Sequence, residues 1–239
     1  MPGTTGSERV QTPDGEMGAH LVLPATGSGP GVLLLQEIFG VGPYIKAVAD
    51  RLGELGYVVL APDLYWRTEP GLVLDHDQAG MALAMAAGQR LDRDAAVADA
   101  VAALGHLRRI PAVAGRVGVL GFCLGGALAF QVAARGDPDA AVCYYGSGIA
   151  DALDAAAEIT CPVLYHFGAE DPFIPREHAD RVAGLAASRA DMECHIHDGA
   201  GHAFDNHESA MFHHPEAAAA AWALTRDFLD RTLGPPVPD

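Results

Sequence analysis

Positive charge is what this chain has least of: 15 Lys and Arg stand against 31 Asp and Glu, for a formal net charge of -16 at pH 7. That balance excludes broad electrostatic attraction to nucleic acid or to an anionic membrane surface, and leaves small molecules as the expected partners. Long hydrophobic runs are missing too. No uninterrupted apolar stretch approaches the ~20 residues needed to cross a bilayer. The opening MPGTTGSERVQTPDG has neither the basic start nor the apolar core of a secretory signal, so the expected location is cytoplasmic. Cysteines are few, at Cys123, Cys143, Cys161 and Cys194, and no two share a short spacing. A disulfide framework or a CxxC metal site is therefore not expected, and the cysteines other than Cys123 read as small core residues. Nothing in the pattern calls for a cofactor.

What the chain does have is apolar substance. Hydrophobic residues make up 50% of it, enough for a large buried core in one α/β domain over residues 1–239, with about 1–7 and 233–239 as flexible tails. The turn signal TPDG before AHLVLPA marks an opening hairpin. Apolar runs of strand length then follow: GVLLLQE, YVVLAPD, RVGVLGF, AAVCYYG and CPVLYHFG, with MECHIHDG as a sixth. Helix-like segments separate them, and such alternation implies a mainly parallel sheet covered on both faces. Ligands in sheets of this kind sit beyond the carboxyl ends of the strands. The segment 66–90 interrupts the alternation and reads as a cap or binding loop.

Between RVGVLGF and the helix-like LGGALAFQVAARG stands Gly121-Phe122-Cys123-Leu124-Gly125-Gly126. Strand, Gly-x-Cys-x-Gly-Gly and helix together have the layout of a nucleophile elbow, in which flanking glycines relieve the conflicts of a very tight turn. Backbone N–H groups at the start of the helix would favour a thiolate and later an oxyanion. A buried cysteine in a glycine-rich turn fits the same stretch, so other residues must decide. An α/β-hydrolase site needs an acid and then a histidine further along the chain. Asp171 in LYHFGAEDPFIP and His202 in HDGAGHAFDN fall in that order. Asp171 would hold one imidazole nitrogen and leave the other to exchange a proton with the sulfur.

Through QEIFGV, GYVVLAPDLY, GFCLGGALAF, YYGSG, EDPFIP and GAGHAF the chain resembles the dienelactone hydrolase family, the carboxymethylenebutenolidase-type enzymes of α/β-hydrolase fold, over nearly its whole length. The resemblance implies that Cys123 is the nucleophile and that His202 and Asp171 complete its triad. It also implies that Glu37 is an additional acid, accepting the thiol proton and changing partner when substrate arrives. Backbone N–H groups of Ile38 and Leu124 would form the oxyanion hole. The implied reaction is hydrolysis of an ester or lactone through a thioester, by a monomer or weak homodimer.

Family members that act on dienelactone hold its carboxylate with two arginines, one in the segment after PDLY and one four residues beyond the catalytic histidine. Here the second position is Asn206, and no Lys or Arg occurs from 68 to 89 or from 190 to 225. Arg67, Arg90 and Arg93 are the nearest substitutes, and a neutral or more apolar substrate is expected. Candidate pocket walls are Phe39, Trp66, Tyr145 and Phe173, with Arg67 and Asn206 as polar candidates. A thioesterase or acyl-transfer enzyme is the alternative on the same triad, and a small-molecule-binding or redox-sensing protein is the alternative without turnover. His195, His197, His202, His207, His213 and His214 cluster late in the chain, but without a matching Cys or carboxylate set they read as loop or surface residues rather than metal ligands.

Overall fold

A computed structural model describes residues 3–234. The hairpin expected at the start is present: β1 (Thr4–Thr12) and β2 (Gly15–Leu23) pair antiparallel across the Thr12–Gly15 turn. Thr4–Ser7, expected in a flexible tail, instead form the first half of β1, held by a full backbone ladder to β2. At the other end, residues 235–239 lie outside the described residues.

The apolar runs become β3 (Gly29–Leu35), β4 (Val58–Pro62), β5 (Val113–Phe122), β6 (Ala141–Tyr144), β7 (Val163–Gly168) and β8 (Met192–His197). All eight strands join one sheet in the order β1-β2-β4-β3-β5-β6-β7-β8, parallel from β4 onward. Successive side chains of a strand point to opposite faces, yet every residue of β3, β4, β6 and β7 is buried. Both faces must therefore be covered, which is what unbroken Val and Leu runs predict.

The cover comes from α1 (Pro43–Glu54), α3 (Arg93–Leu107), α4 (Leu124–Arg135), α5 (Arg176–Ala187) and α6 (Pro215–Leu233). Within the interrupting segment a further helix forms, α2 (Gln78–Arg90), where Asp77 caps the first turn by accepting the Gly80 N–H at 2.7 Å. The side chain of Asp92 does the same for α3, accepting from Ala95 N at 3.1 Å.

At the centre of the sheet β5 turns directly into α4 through Cys123, whose φ of 53° and ψ of -113° are unusual for a residue with a side chain. Two backbone bonds hold it there: Cys123 N–H donates to Tyr144 O at 3.0 Å, and Ala127 N–H donates to Cys123 O at 3.1 Å. Room for the turn depends on bare backbone. A Cβ on Gly121 would lie 2.0 Å from Gly125 O, and one on Gly125 would lie 2.2 Å from Leu35 O. Strand, helix and neighbouring strand touch main chain to main chain, so the glycines of the motif are a packing requirement.

Gly125→Ala should therefore cost about 3 kcal/mol, the upper range for overpacking. Gly184→Ala on α5, where an added Cβ meets nothing within 4 Å, should be neutral or stabilising by up to about 1 kcal/mol. Urea unfolding of both variants beside the parent checks the pair, and equal stabilities would refute the close-contact argument.

Candidate active site

The side chain at the elbow points where β5, β7 and β8 end. Cys123 Sγ lies 3.1 Å from Nε2 of His202, which sits on the loop after β8. On the other side of the ring, Nδ1 of His202 donates to Asp171 Oδ2 at 2.7 Å. Asp171 follows β7, and its second oxygen accepts from the backbone N–H groups of Phe173 at 2.8 Å and Ile174 at 3.1 Å. With all of these donors in place the carboxylate stays fixed although its side chain is buried, and the proton on Nδ1 leaves Nε2 facing sulfur.

Burial disfavours an imidazolium at His202, but the Cys123 thiolate beside it, its hydrogen bond with Asp171 and the Asp171 charge act the other way and push the group up to about 10. A charged imidazolium is thus favoured when the sulfur beside it carries its charge. Tyr145, expected as a pocket wall, is fully buried and packs behind His202 with ring centroids 5.2 Å apart and planes tilted by 57°. Its hydroxyl meets Tyr44 Oη at 3.3 Å, and Tyr44 donates to Asp205 at 2.8 Å. Tyr145 thus braces the imidazole from behind.

Glu37 lies just past β3 and is 2% exposed. Its Oε1 pairs with Nε2 of His76, and both carboxylate oxygens accept from Asn206 Nδ2, at 3.1 and 3.3 Å. The orientation of the Asn206 amide is set by Glu208 N–H, which donates to Oδ1 at 2.9 Å and turns Nδ2 toward Glu37. Among the described residues Glu37 makes no hydrogen bond to Cys123. The thiol is on His202, and the expected Glu37 to thiol contact is replaced by the His76 and Asn206 pair. Asn206 accordingly acts on Glu37 and is not a lining residue of the cavity beside Cys123.

Sequence reading missed His76. It lies 39 residues from Glu37 within the interrupting segment, and its only signal is that it is the sole histidine there. Gln36 and Tyr65, inside quoted motifs but given no role, hold the loop after β3. Tyr65 Oη donates to Ile38 O at 3.0 Å, and Gln36 accepts from Leu64 N–H at 3.1 Å while its amide reaches Glu37 O at 3.4 Å. The Glu37–Ile38 peptide is thereby oriented. Among the described residues no backbone acceptor takes the N–H of Ile38, and the N–H of Leu124 is one of the donors a helix start leaves free. Both residues border the cavity at Cys123.

That cavity has a volume of about 210 Å³. Phe39, Phe173, Phe212, Met81 and Met85 supply its apolar walls, with Glu37, Cys123, His202 and Arg93 as its ionisable groups. Phe39 and Phe173 therefore stand where expected. Met81 and Met85 belong to α2, so the interrupting segment does reach the site.

Trp66 and Arg67 do not. Asp99, 1% exposed on α3, takes both: Trp66 Nε1 donates to it at 2.8 Å and Arg67 donates two bonds at 3.0 and 2.8 Å. A buried carboxylate needs such a fork, and the guanidinium is also held by Asp14 at 2.9 Å and by the Trp66 face at 4.4 Å.

The late histidines also disperse. His195 and His197 face buried His166, whose Nδ1 lies 3.1 Å from His197 Nε2 and whose Nε2 lies 3.1 Å from Thr225 Oγ1. Burial, then the like charge of His195, pushes His197 down to about 4, and burial also lowers His166, so these two rings are neutral packing under α6. His214 caps α6, and His213 bonds Phe204 O at 3.1 Å.

Known proteins resemble this chain in sequence and in shape. The model of the dienelactone hydrolase family matches residues 17–233. A carboxymethylenebutenolidase of a Pseudomonas species is 39% identical over 218 residues, covering 91% of each chain. Another, from Pseudomonas putida, is 38% identical over 224 residues, covering 92% of this chain and 94% of its own. In shape, the solved structure of a dienelactone hydrolase-like promiscuous phosphotriesterase from metagenomic libraries matches with a TM-score of 0.81 at 24% identity, over 98% of this chain and 100% of that one. With α/β-hydrolase topology, a cysteine elbow and the family match spanning nearly all of its sheet, this chain belongs to the dienelactone hydrolase family.

Proposed function

We propose that this family member hydrolyses an uncharged carboxylic ester or lactone by nucleophilic attack of Cys123, through a thioester. The observation that carries the reading is the unbroken line Asp171, His202, Cys123, at 2.7 and 3.1 Å, opening into an apolar cavity.

The thiolate of Cys123 attacks the carbonyl carbon, and the carbonyl electron pair moves to oxygen, where the N–H groups of Ile38 and Leu124 receive it. As the C–O bond breaks, the proton on His202 Nε2 passes to the departing alkoxide; in a lactone that oxygen remains tethered to the acyl chain. The first of the effects that raise His202 is the thiolate charge, and acylation removes it while burial remains. The imidazole then becomes a neutral base able to deprotonate water. Hydroxide adds to the thioester, the thiolate leaves, and the acid product departs. Thiolate is a better leaving group than an amine, so activated esters and enol lactones are suited to this site and amides are not.

Substrate charge follows from Glu37. The carboxylate borders the cavity and is already partnered by His76 and Asn206, and among the described residues no guanidinium pairs with it. A substrate carboxylate next to the reacting carbonyl would meet like charge and methionine.

Three results are expected. Mixing with 4-nitrophenyl acetate should leave an acetyl adduct on Cys123 by mass spectrometry, and Cys123→Ala should lose at least ~1000-fold in kcat; an active, unmodified variant would refute the nucleophile. Because His202 sits higher folded than the ordinary histidine value of about 6.5, its charge contributes stability in full below that value, and the contribution is lost as pH rises through about 10. The Tm of the parent should thus fall more steeply between pH 7 and 10 than that of His202→Gln, and parallel slopes would contradict the ion pair. Finally, Asn206→Arg should raise kcat/KM for dienelactone relative to an uncharged lactone by about 10-fold, as one charge-assisted contact allows. Selective turnover of dienelactone by the parent would overturn the neutral-substrate reading.

A further inference from the structure

Phe173 and Ile174 are neighbours in the turn DPFIP, yet only one of them belongs to the core. Ile174 is 4% exposed, whereas Phe173 is 51% exposed and borders the cavity that holds Cys123. We infer that Phe173 selects the alcohol half of the substrate: an uncharged ester whose leaving oxygen carries an apolar ring, or a lactone bearing that ring on its oxygen-linked carbon. The inference rests on the proposed hydrolysis at Cys123 and adds to it which part of the substrate meets which wall.

The ring is mounted on a fixed turn. Asp171 Oδ1 accepts the N–H groups of both Phe173 and Ile174, at 2.8 and 3.1 Å, so the acid of the triad itself sets the backbone there. Pro172 and Pro175 stand on either side and restrict it further. From this mount the ring meets the imidazole of His202 edge to face, with centroids 5.2 Å apart and planes at 75°. Large apolar side chains exposed to this degree are few among the described residues: Val73, Leu83, Met85, Phe173 and Met211. Met85 and Phe173 both border the catalytic cavity, so open apolar surface stands at the mouth through which a substrate enters.

Reaction geometry decides which half of an ester reaches Phe173. Attack fixes the carbonyl carbon on Sγ and turns its oxygen toward the N–H groups of Ile38 and Leu124. The leaving oxygen has to lie within about 3 Å of His202 Nε2 to take its proton. A carbon bonded to that oxygen is then held over the imidazole, in reach of the ring packed against it. The acyl chain departs from the carbonyl carbon in another direction, with Phe39 and Met81 as apolar walls left for it. Aromatic rings favour edge-to-face and offset contacts, so the open side of Phe173 suits a second ring better than a short alkyl group. Its side chain brings neither a donor nor a counter-ion, in keeping with an uncharged substrate.

Enol esters isolate the contact. 1-Phenylvinyl acetate carries a ring on its oxygen-linked carbon where vinyl acetate carries hydrogen, and both are uncharged. The ratio of their kcat/KM values should drop about 10-fold in Phe173→Ala, the reach of one aromatic contact, and be kept in Phe173→Tyr. Intrinsic reactivity cancels because the same esters are compared in each enzyme, and the backbone N–H that holds Asp171 is present in every variant. Vinyl phenylacetate moves the ring to the acyl half, and its ratio to vinyl acetate should not change in Phe173→Ala. An unchanged 1-phenylvinyl ratio, with or without an equal loss on all three esters, overturns the assignment, as does an equal fall with the ring on the acyl side. Binding separates this failure from failure of the hydrolysis itself: by NMR titration, Cys123→Ala should bind 1-phenylvinyl acetate about 10-fold more tightly than Cys123→Ala/Phe173→Ala. Equal affinities overturn the role of Phe173 whether or not the parent enzyme turns over any of these esters.

Discussion

Everything in the site depends on the contact between Cys123 Sγ and His202 Nε2, and that contact depends on how tightly β5 can turn into α4. The sulfur is delivered from the middle of the sheet and the imidazole from a loop near its edge. The meeting distance of 3.1 Å leaves little tolerance. A turn with a positive φ at a residue that has a side chain is strained, and it persists because surrounding backbone over-determines it. Main chain from Leu35, Tyr144 and Gly125 closes on the elbow at distances where no Cβ fits. Catalytic placement is in this sense a property of sheet packing.

Legibility in the sequence follows the same physics. Strands β3, β4, β6 and β7 are readable because each is a short apolar run buried on both faces, and the helices between them follow from the alternation. Cys123, Asp171 and His202 are readable because chain order and glycine spacing constrain them locally. Partners chosen by long-range packing are not. Trp66 and Arg67 look like site residues beside a strand end until Asp99, buried on α3 and distant in the chain, claims them both. Tyr145 is adjacent to the site in sequence and in space, yet faces the back of His202. His76 carries no motif and becomes visible only when its loop folds over Glu37. Thr4–Ser7 look like a tail in composition, but the ladder to β2 is made by backbone, which composition does not report.

Scarce positive charge organises the interior as well as the surface. Buried carboxylates are costly unless each finds a cation or several N–H donors. Asp99 takes Arg67, Asp171 takes His202 with two backbone N–H groups, and Asp205 takes Tyr44 with Arg51 at 3.6 Å. Glu37 is left with an imidazole and an amide. Both satisfy its oxygens, which is why this carboxylate can border a pocket whose walls include three phenylalanines and two methionines.

A thiol in place of a hydroxyl makes that restraint consequential. A proton shared between Cys123 Sγ and His202 Nε2 leaves the pair without net charge whichever of the two holds it, so nothing there draws in an anion at the reacting carbon. In the proposed reaction, acylation takes that proton away: sulfur is tied up in the thioester and the proton leaves with the alcohol. The buried Asp171 carboxylate then faces a neutral imidazole, and the drive to restore an imidazolium beside it pulls a proton from water. Through that proposed cycle Asp171 stays bonded to Nδ1 of His202, and Glu37 stays with His76 and Asn206.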